Sequence, residues 1–236
     1  IKKKLITKHC KKTKSLLDLC GGKGGDLNHW LDCKLDHIVS LDINRDNLEN
    51  SNNGACNRVL NAMANTTDNN RLLKNILFLW ADASKELTYG DAAKDDLNQF
   101  YMDVIYGKID KSLVENSKLI RFYGIGANKF DNISCHFSIH YFFENKEKLD
   151  NLLRNVSDNL KPGGKFIGTC LDGKKVFESL KDTNSMYEMD GDELLWKIIK
   201  KYDQDDIRND DTSIGYPVEV FINSIGKTTM EWLVNF

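Results

Sequence analysis

The sequence predicts an α/β fold built on a mostly parallel sheet. Short apolar runs alternate with segments of helical spacing. Three of those runs close on an acid, at Asp18, Asp42 and Asp82, and the first opens into a glycine-rich turn. Strand patterns that alternate with helical ones read as βαβ units, and such sheets bind ligands beyond the carboxyl ends of their strands.

The elements follow in order. Residues 1–14 are basic and read as a helix face, with Lys2, Lys3, Lys4, Lys8, Lys11, Lys12 and Lys14. Ser15 to Leu19 is the first strand, followed by the turn Cys20-Gly21-Gly22-Lys23-Gly24-Gly25-Asp26 and a helical pattern through Leu27, Trp30 and Leu31. His37 to Asp42 is the second strand, 45–64 a helix, 65–70 a loop, and Ile76 to Asp82 the third strand. The stretch 83–128 mixes polar and apolar positions and reads as helix with insertions. Phe130 to Ile139 is a fourth strand, Lys146 to Leu160 a helix, 161–164 a turn and Lys165 to Cys170 a fifth strand. Residues 203–213 are a polar loop, Tyr216 to Ile222 alternates like a strand, and Met230 to Phe236 is expected to open a helix.

Composition narrows the class. With 236 residues, 41% of them hydrophobic, the chain can bury a sizeable core. Its net charge of −2 excludes a protein that coats nucleic acid by bulk charge, though a local basic groove is compatible with it. No apolar run approaches the ~18–20 residues that cross a bilayer, and no secretory leader pattern opens the chain. Six cysteines without a C-x-x-C pair argue against zinc or a disulfide scaffold, so no metal is expected and the thiols read as reduced and intracellular. The chain opens on Ile1, which suggests a piece of a longer polypeptide.

The glycine-rich turn lets backbone approach a ligand, with Gly21, Gly22 and Gly24 as the contact positions. A dinucleotide site needs no acid at the place of Asp18, whereas a ligand with an ammonium group and no phosphate does. A carboxylate at Asp42 can accept hydrogen bonds from both hydroxyls of a ribose, and Asp82 can accept from the exocyclic amine of adenine. Ammonium, ribose and adenine together describe S-adenosylmethionine. The alternative for any one of these acids is a helix cap. No G-x-x-x-x-G-K-[ST] pattern supports an NTPase, and no clean G-x-G-x-x-G supports a nicotinamide enzyme.

Two segments sharpen this. Leu17-Asp18-Leu19-Cys20-Gly21-Gly22-Lys23-Gly24-Gly25-Asp26-Leu27 and Ser134-Cys135-His136-Phe137-Ser138-Ile139-His140-Tyr141-Phe142-Phe143-Glu144 resemble motifs of messenger-RNA cap guanine-N7 methyltransferases. Asn155 to Thr169 matches a third motif, and Ala55-Cys56-Asn57-Arg58 and Met230 to Phe236 match more weakly. The second of these motifs looks most like that of the capping enzymes of large DNA viruses. Cys20 stands where the family has Gly, His136 where members often have Gln, and His29 where many have Lys.

The resemblance implies a Rossmann-like class I S-adenosylmethionine-dependent methyltransferase fold with a sheet of the seven-stranded type and helices on both faces, cut short at the C-terminus. It implies a single domain over 1–236, part of a larger enzyme that also carries triphosphatase and guanylyltransferase domains. The activity would be methyl transfer from S-adenosylmethionine to N7 of GpppN-capped RNA, leaving S-adenosylhomocysteine. An activator subunit, an intracellular setting (host cytoplasm or virion) and no membrane partner go with it. Glu231 would accept from the guanine edge, with Tyr141 as an aromatic face and His140 donating to O6 or a ribose oxygen. Lys2 would reach the cofactor carboxylate, His136 and Phe137 would touch the cofactor, and Lys23, His29 and Arg58 would face the cap phosphates. Lys2 reads equally as a solvated helix residue. The rival readings are a methyltransferase for another RNA or a small molecule, separated only by His140, Tyr141 and Glu231, and a catalytically silent cofactor-binding subunit of a capping complex.

Overall fold

The computed structural model describes residues 1–65 and 73–235. Two compact units result: Ile1–His136 with Asn151–Gly168, and Phe137–Asp150 with Thr169–Phe236.

The first unit is built on five strands in the order β3-β2-β1-β4-β5. They are β1 (Ser15–Asp18), β2 (His37–Asp42), β3 (Ile76–Trp80), β4 (Phe130–His136) and β5 (Leu160–Thr169). β1 pairs in parallel with β2 and with β4, and β2 with β3. The strand order reverses at β1, which makes the β1/β4 boundary the switch point where ligands of open sheets bind. The helices are α1 (Lys2–Cys10), α2 (Leu27–Cys33), α3 (Arg45–Glu49), α4 (Ala55–Asn65), α5 (Asp96–Ile105) and α6 (Lys146–Asn159).

Period-two alternation along the strands sends successive side chains to opposite faces. Leu16, Ile38, Ile76 and Phe78 join Ile6 and Cys10 of α1, Trp30 and Cys33 of α2, and Val59 and Met63 of α4 in one cluster. Leu17, Val39, Leu41 and Leu79 line one small cavity with Met102, Ile105 and Tyr106, the first two from α5. The expected sheet with helices on both faces is therefore present.

The second unit holds a 3-10 segment (Ile139–Glu144), α7 (Gly173–Ser179) and an antiparallel meander β6-β7-β8-β9. Its strands are β6 (Ser185–Asp190), β7 (Glu193–Lys200), β8 (Pro217–Ile222) and β9 (Lys227–Trp232). Ile198, Val218, Val220 and Leu233 pack with Val176, Phe177 and Leu180, and the rings of Phe177, Tyr202 and Tyr216 stack. In antiparallel register Val218 faces Glu231 and Val220 faces Thr229. Directly paired residues share a face, so Glu231 stands on the side of the sheet that carries the apolar cluster.

Several expectations are corrected. The helix over 45–64 is two helices broken at 50–54, where a Cβ on Gly54 would meet backbone of Asn50 and Leu48 within 3 Å. Most of the 65–70 loop lies outside the described residues. Within 83–128 one helix, α5, forms, with short 3-10 turns after it. β4 stops at His136, because Phe137 takes a positive φ of 54° that a strand cannot continue. Residues 161–164 belong to β5 rather than to a separate turn. Residues 230–232 are strand, not the opening of a helix, because Thr229, Glu231 and Leu233 follow the two-residue period of β9 and its continuation. The sheet expected with seven strands divides into five and four, and the β6–β7 hairpin had no counterpart in the sequence reading.

Candidate active site

At the end of β1, Asp18 is paired in register with Ser40 on β2 and Ser134 on β4. Both serine hydroxyls donate to it: Ser134 Oγ to Oδ1 at 2.6 Å and Ser40 Oγ to Oδ2 at 3.1 Å. The carboxyl is buried, and burial pushes its pKa up to about 7, against the lowering by the two hydroxyls. Among the described residues no cation forms an ion pair with Asp18. The chemistry of this donor set fits a ligand that brings its own ammonium group.

The glycine turn passes directly above. A Cβ on Gly21 would lie 2.0 Å from Ser40 Oγ and 2.9 Å from Asp18 Oδ2, so only glycine fits there. Gly22 and Gly24 have φ of 54° and 70°, a region L side chains rarely adopt. Space beside the α-carbon of Gly22 is open. Cys20 lies against Cys135, and that shared hydrogen bond and burial hold its thiol well above the usual range.

Asp42, ending β2, is largely committed to its own loop. Oδ2 accepts from Gly22 N at 2.8 Å; Oδ1 accepts from Asn44 N at 2.9 Å and Asn47 Nδ2 at 3.0 Å. A carboxylate oxygen accepts about two hydrogen bonds. Oδ2 therefore keeps capacity for one ribose hydroxyl, and the bidentate grip expected from the sequence is reduced to one oxygen. Asp82 Oδ1 closes a turn on Ser84 N and Oγ (2.9 and 2.6 Å), while Oδ2 lies 3.8 Å from Lys94 Nζ. The loop after it hangs on buried Asn155, whose amide donates to the carbonyls of Ala83 and Lys85 and accepts from Leu87 N.

The residues expected from likeness are distributed unevenly. Lys2 Nζ pairs with buried Asp26 at 2.9 Å. His136 is buried at the end of β4, and burial lowers its pKa. Phe137 is 61% exposed. Lys23 Nζ donates to Asn53 Oδ1 at 2.7 Å, and Arg58 Nε reaches Asn53 O at 3.4 Å, so a single loop residue gathers both. His29 is half-buried on α2, with Nδ1 enclosed and unpartnered.

In the second unit, His140 and Glu231 come together. His140 Nδ1 lies 3.4 Å from Glu231 Oε2, and Thr229 Oγ1 donates to Oε1 at 3.2 Å. Burial pushes His140 down to about 4 and Glu231 above the ordinary carboxylate value. The imidazole is thus neutral near pH 7. With its proton on Nδ1, toward the carboxylate, the buried and unpartnered Nε2 would be an acceptor. With its proton on Nε2 instead, His140 would donate from there, as expected from the sequence. Tyr141 stands edge-on to His140, centroids 4.3 Å apart, and is 39% exposed. Ser40, Ser134, Thr229 and Asn155 join these sites without having been singled out by any sequence pattern. The available signal for Ser40 was a serine inside an otherwise apolar strand run.

The family model of the mRNA (guanine-N(7))-methyltransferase domain matches residues 1–236. The chain belongs to this family. This cap methyltransferase domain is 28% identical over 241 residues to a probable mRNA-capping enzyme of Acanthamoeba polyphaga mimivirus, covering 99% of this chain and 19% of that protein. It is 28% identical over 238 residues to mRNA cap guanine-N(7) methyltransferase 1 of Arabidopsis thaliana, covering 100% of this chain and 53% of the plant protein. The chain thus spans about half of the plant relative's length and about a fifth of the viral one's. A crystal structure of an S-adenosylmethionine-dependent methyltransferase from Clostridium acetobutylicum superposes with a TM-score of 0.54 at 15% identity, covering 99% of this chain and 74% of that one. That likeness shows the Rossmann-like class I methyltransferase fold. Among the described residues no helix is long and apolar enough to cross a membrane.

Proposed function

We propose that this cap methyltransferase domain transfers a methyl group from S-adenosylmethionine to N7 of the guanine in GpppN-capped mRNA. The observation that carries the reading is the buried Glu231 carboxylate, held by Thr229 and faced by neutral His140. The guanine edge offers N1–H and a 2-amino group, and a buried carboxylate accepts both. His140 Nε2, as an acceptor, suits the second hydrogen of that amino group or a ribose hydroxyl. Tyr141 offers its ring to the base.

Guanine N7 carries a free lone pair at neutral pH, so no residue is needed as a general base. S-adenosylmethionine, when bound, supplies an electrophilic methyl group on a sulfonium. Asp18 would accept from the ligand ammonium, Asp42 Oδ2 from a ribose hydroxyl, and Asp82 Oδ2 from the adenine amine. Gly21, Gly22 and Gly24 would bring backbone close to the ligand, and His136, Phe137 and Lys2 would border it. Lys23, His29 and Arg58 would face the cap phosphates. Catalysis then rests on holding donor and acceptor in line, which supplies much of the barrier reduction in such transfers. The chain would act within a longer, multifunctional viral capping enzyme, beside triphosphatase and guanylyltransferase domains and with an activator subunit, in the host cytoplasm or the virion.

The test is transfer of radiolabel from S-adenosylmethionine to GpppN-capped RNA and to the same RNA already N7-methylated. Label on the first alone is expected, and its loss in Glu231→Ala with S-adenosylmethionine binding retained by calorimetry. Label on both RNAs would assign another position or substrate. Failure to bind S-adenosylmethionine would overturn the reading.

A further inference from the structure

The basic stretch at the start of the chain has no role in the site beyond Lys2. Residues 1–14 hold seven lysines and no acid, which leaves the rest of a chain of net charge −2 at −9. Helix α1 buries Ile6 and Cys10 completely, in the cluster with Leu16, Trp30 and Ile38. At 100° per residue Lys2 falls on that inner side and reaches Asp26, while Lys4 and Lys8 fall on the opposite side and Lys11 and Lys12 follow just past the helix end. All four of these are exposed, as are Lys3 and Lys14.

Elsewhere many surface lysines are matched to acids: Lys94 with Asp82, Lys108 with Asp103, Lys146 with Asp150, Lys148 with Glu144, Lys161 with Asp131, Lys175 with Asp172 and Lys201 with Glu219. Among the described residues no such ion pair forms at Lys3, Lys4, Lys8, Lys11, Lys12 or Lys14. Helix energetics oppose this arrangement. Lys4–Lys8 is a like-charge pair at i,i+4 within the helix, unfavourable by ~0.2–0.5 kcal/mol. Lysines in the first turn, with no acid there, also face the positive end of the helix dipole. A polyanion laid along the helix relieves both penalties. From Lys3 to Lys8 the charges extend about 8 Å along the axis, and Lys11, Lys12 and Lys14 follow past the helix end, room for a few phosphates.

We propose that the solvent face of α1, continued through Lys11, Lys12 and Lys14, is a binding surface for the phosphate backbone of single-stranded RNA. RNA is favoured over an acidic protein by the family's mRNA substrate. The choice of RNA rests on the proposed function, while the charge argument does not.

The experiment measures binding of an uncapped, fluorescently labelled 20-nucleotide RNA by anisotropy from 50 to 200 mM KCl. The intact protein is compared with one carrying Lys4→Gln, Lys8→Gln, Lys11→Gln and Lys12→Gln, and with one carrying arginine at the same positions. Each neutralised phosphate contributes about 0.7 to the slope of log K against log salt on a single strand. The glutamine variant is expected to lose about tenfold in affinity and ~2–3 in slope at a melting temperature no lower than that of the intact protein, and the arginine variant to keep affinity and slope. In parallel, methylation of the dinucleotide GpppG should be unchanged and the KM for long capped RNA raised. Equal affinity and slope in the glutamine variant, or polyglutamate of matched charge binding as tightly as RNA, overturns the proposal. No methylation of GpppG with RNA binding as described would fault the cap reading and leave this surface standing.

Discussion

Replacing Asp18 by asparagine tests the electrostatics on which the candidate cofactor site depends. The unfolded carboxyl titrates near 3.8 and the folded one at about 7, chiefly through burial. Between those values the folded protein keeps a proton that the unfolded chain has released. Stability contributed by this site is therefore highest below pH 4, falls as pH rises, and levels off above pH 7, by ~1.4 kcal/mol per unit in between. The Asp18→Asn variant has no such proton to lose. From pH 5 to pH 7 the stability of the native protein relative to the variant should therefore fall by about 2–3 kcal/mol. Other titrating groups, such as His136, His140 and Glu231, cancel in the difference. Urea unfolding of both proteins at pH 5, 6 and 7 measures it, and calorimetry near pH 6 should show release of close to one proton when an ammonium-bearing ligand binds. A difference flat with pH, or no proton release, would refute the claim that Asp18 is a buried carboxyl awaiting a cation.

Gly21→Ala sets a Cβ 2.0 Å from Ser40 Oγ and should cost ~1–3 kcal/mol, roughly 2–4 °C of melting temperature per kcal/mol. Made in a Ser40→Ala background, the same change should cost much less. An equal loss in both backgrounds would show that the close approach is not the cause. Thr229→Val removes the hydroxyl that donates to Glu231 Oε1 and lowers its pKa. The KM for capped RNA should rise about tenfold, with the acidic limb of kcat/KM moved to higher pH and Thr229→Ser restoring both. A valine variant with an unchanged pH profile would remove Thr229 from any positioning role.

Much of the candidate cofactor site was legible in the chain, because its determinants are local. Asp18 and Asp42 each follow an apolar strand run directly, and Gly21, Gly22 and Gly24 announce a turn that only glycine can make above Ser40. The motif around His140 and Tyr141 was equally visible. What was not visible is how far these groups are already engaged. Asp42 looks free in the sequence, yet three of its hydrogen bonds come from Gly22, Asn44 and Asn47. Asn155 looks like one more polar position on a helix, yet it holds the loop after Asp82 from within the fold. The end of the chain forms strand where its sequence suggests a helix for a related reason. Met230 to Phe236 has no marked two-residue contrast in polarity, because Glu231 stands on the apolar side of β9, where a pattern expects a hydrophobe.

Alternation of short strands with helices, a glycine turn after the first, and an acid at successive strand ends were determined by the sequence, since each depends on neighbours within a few positions. The tertiary structure decided the rest. Parallel register sets Ser40 and Ser134 on either side of Asp18, and burial there makes its carboxyl titrate at about 7. The 3-10 segment and β9, distant in the chain, bring His140 Nδ1 within 3.4 Å of Glu231 Oε2. Register and burial are properties of chain segments meeting across long separations, and no local pattern of residues encodes the free energy of that meeting.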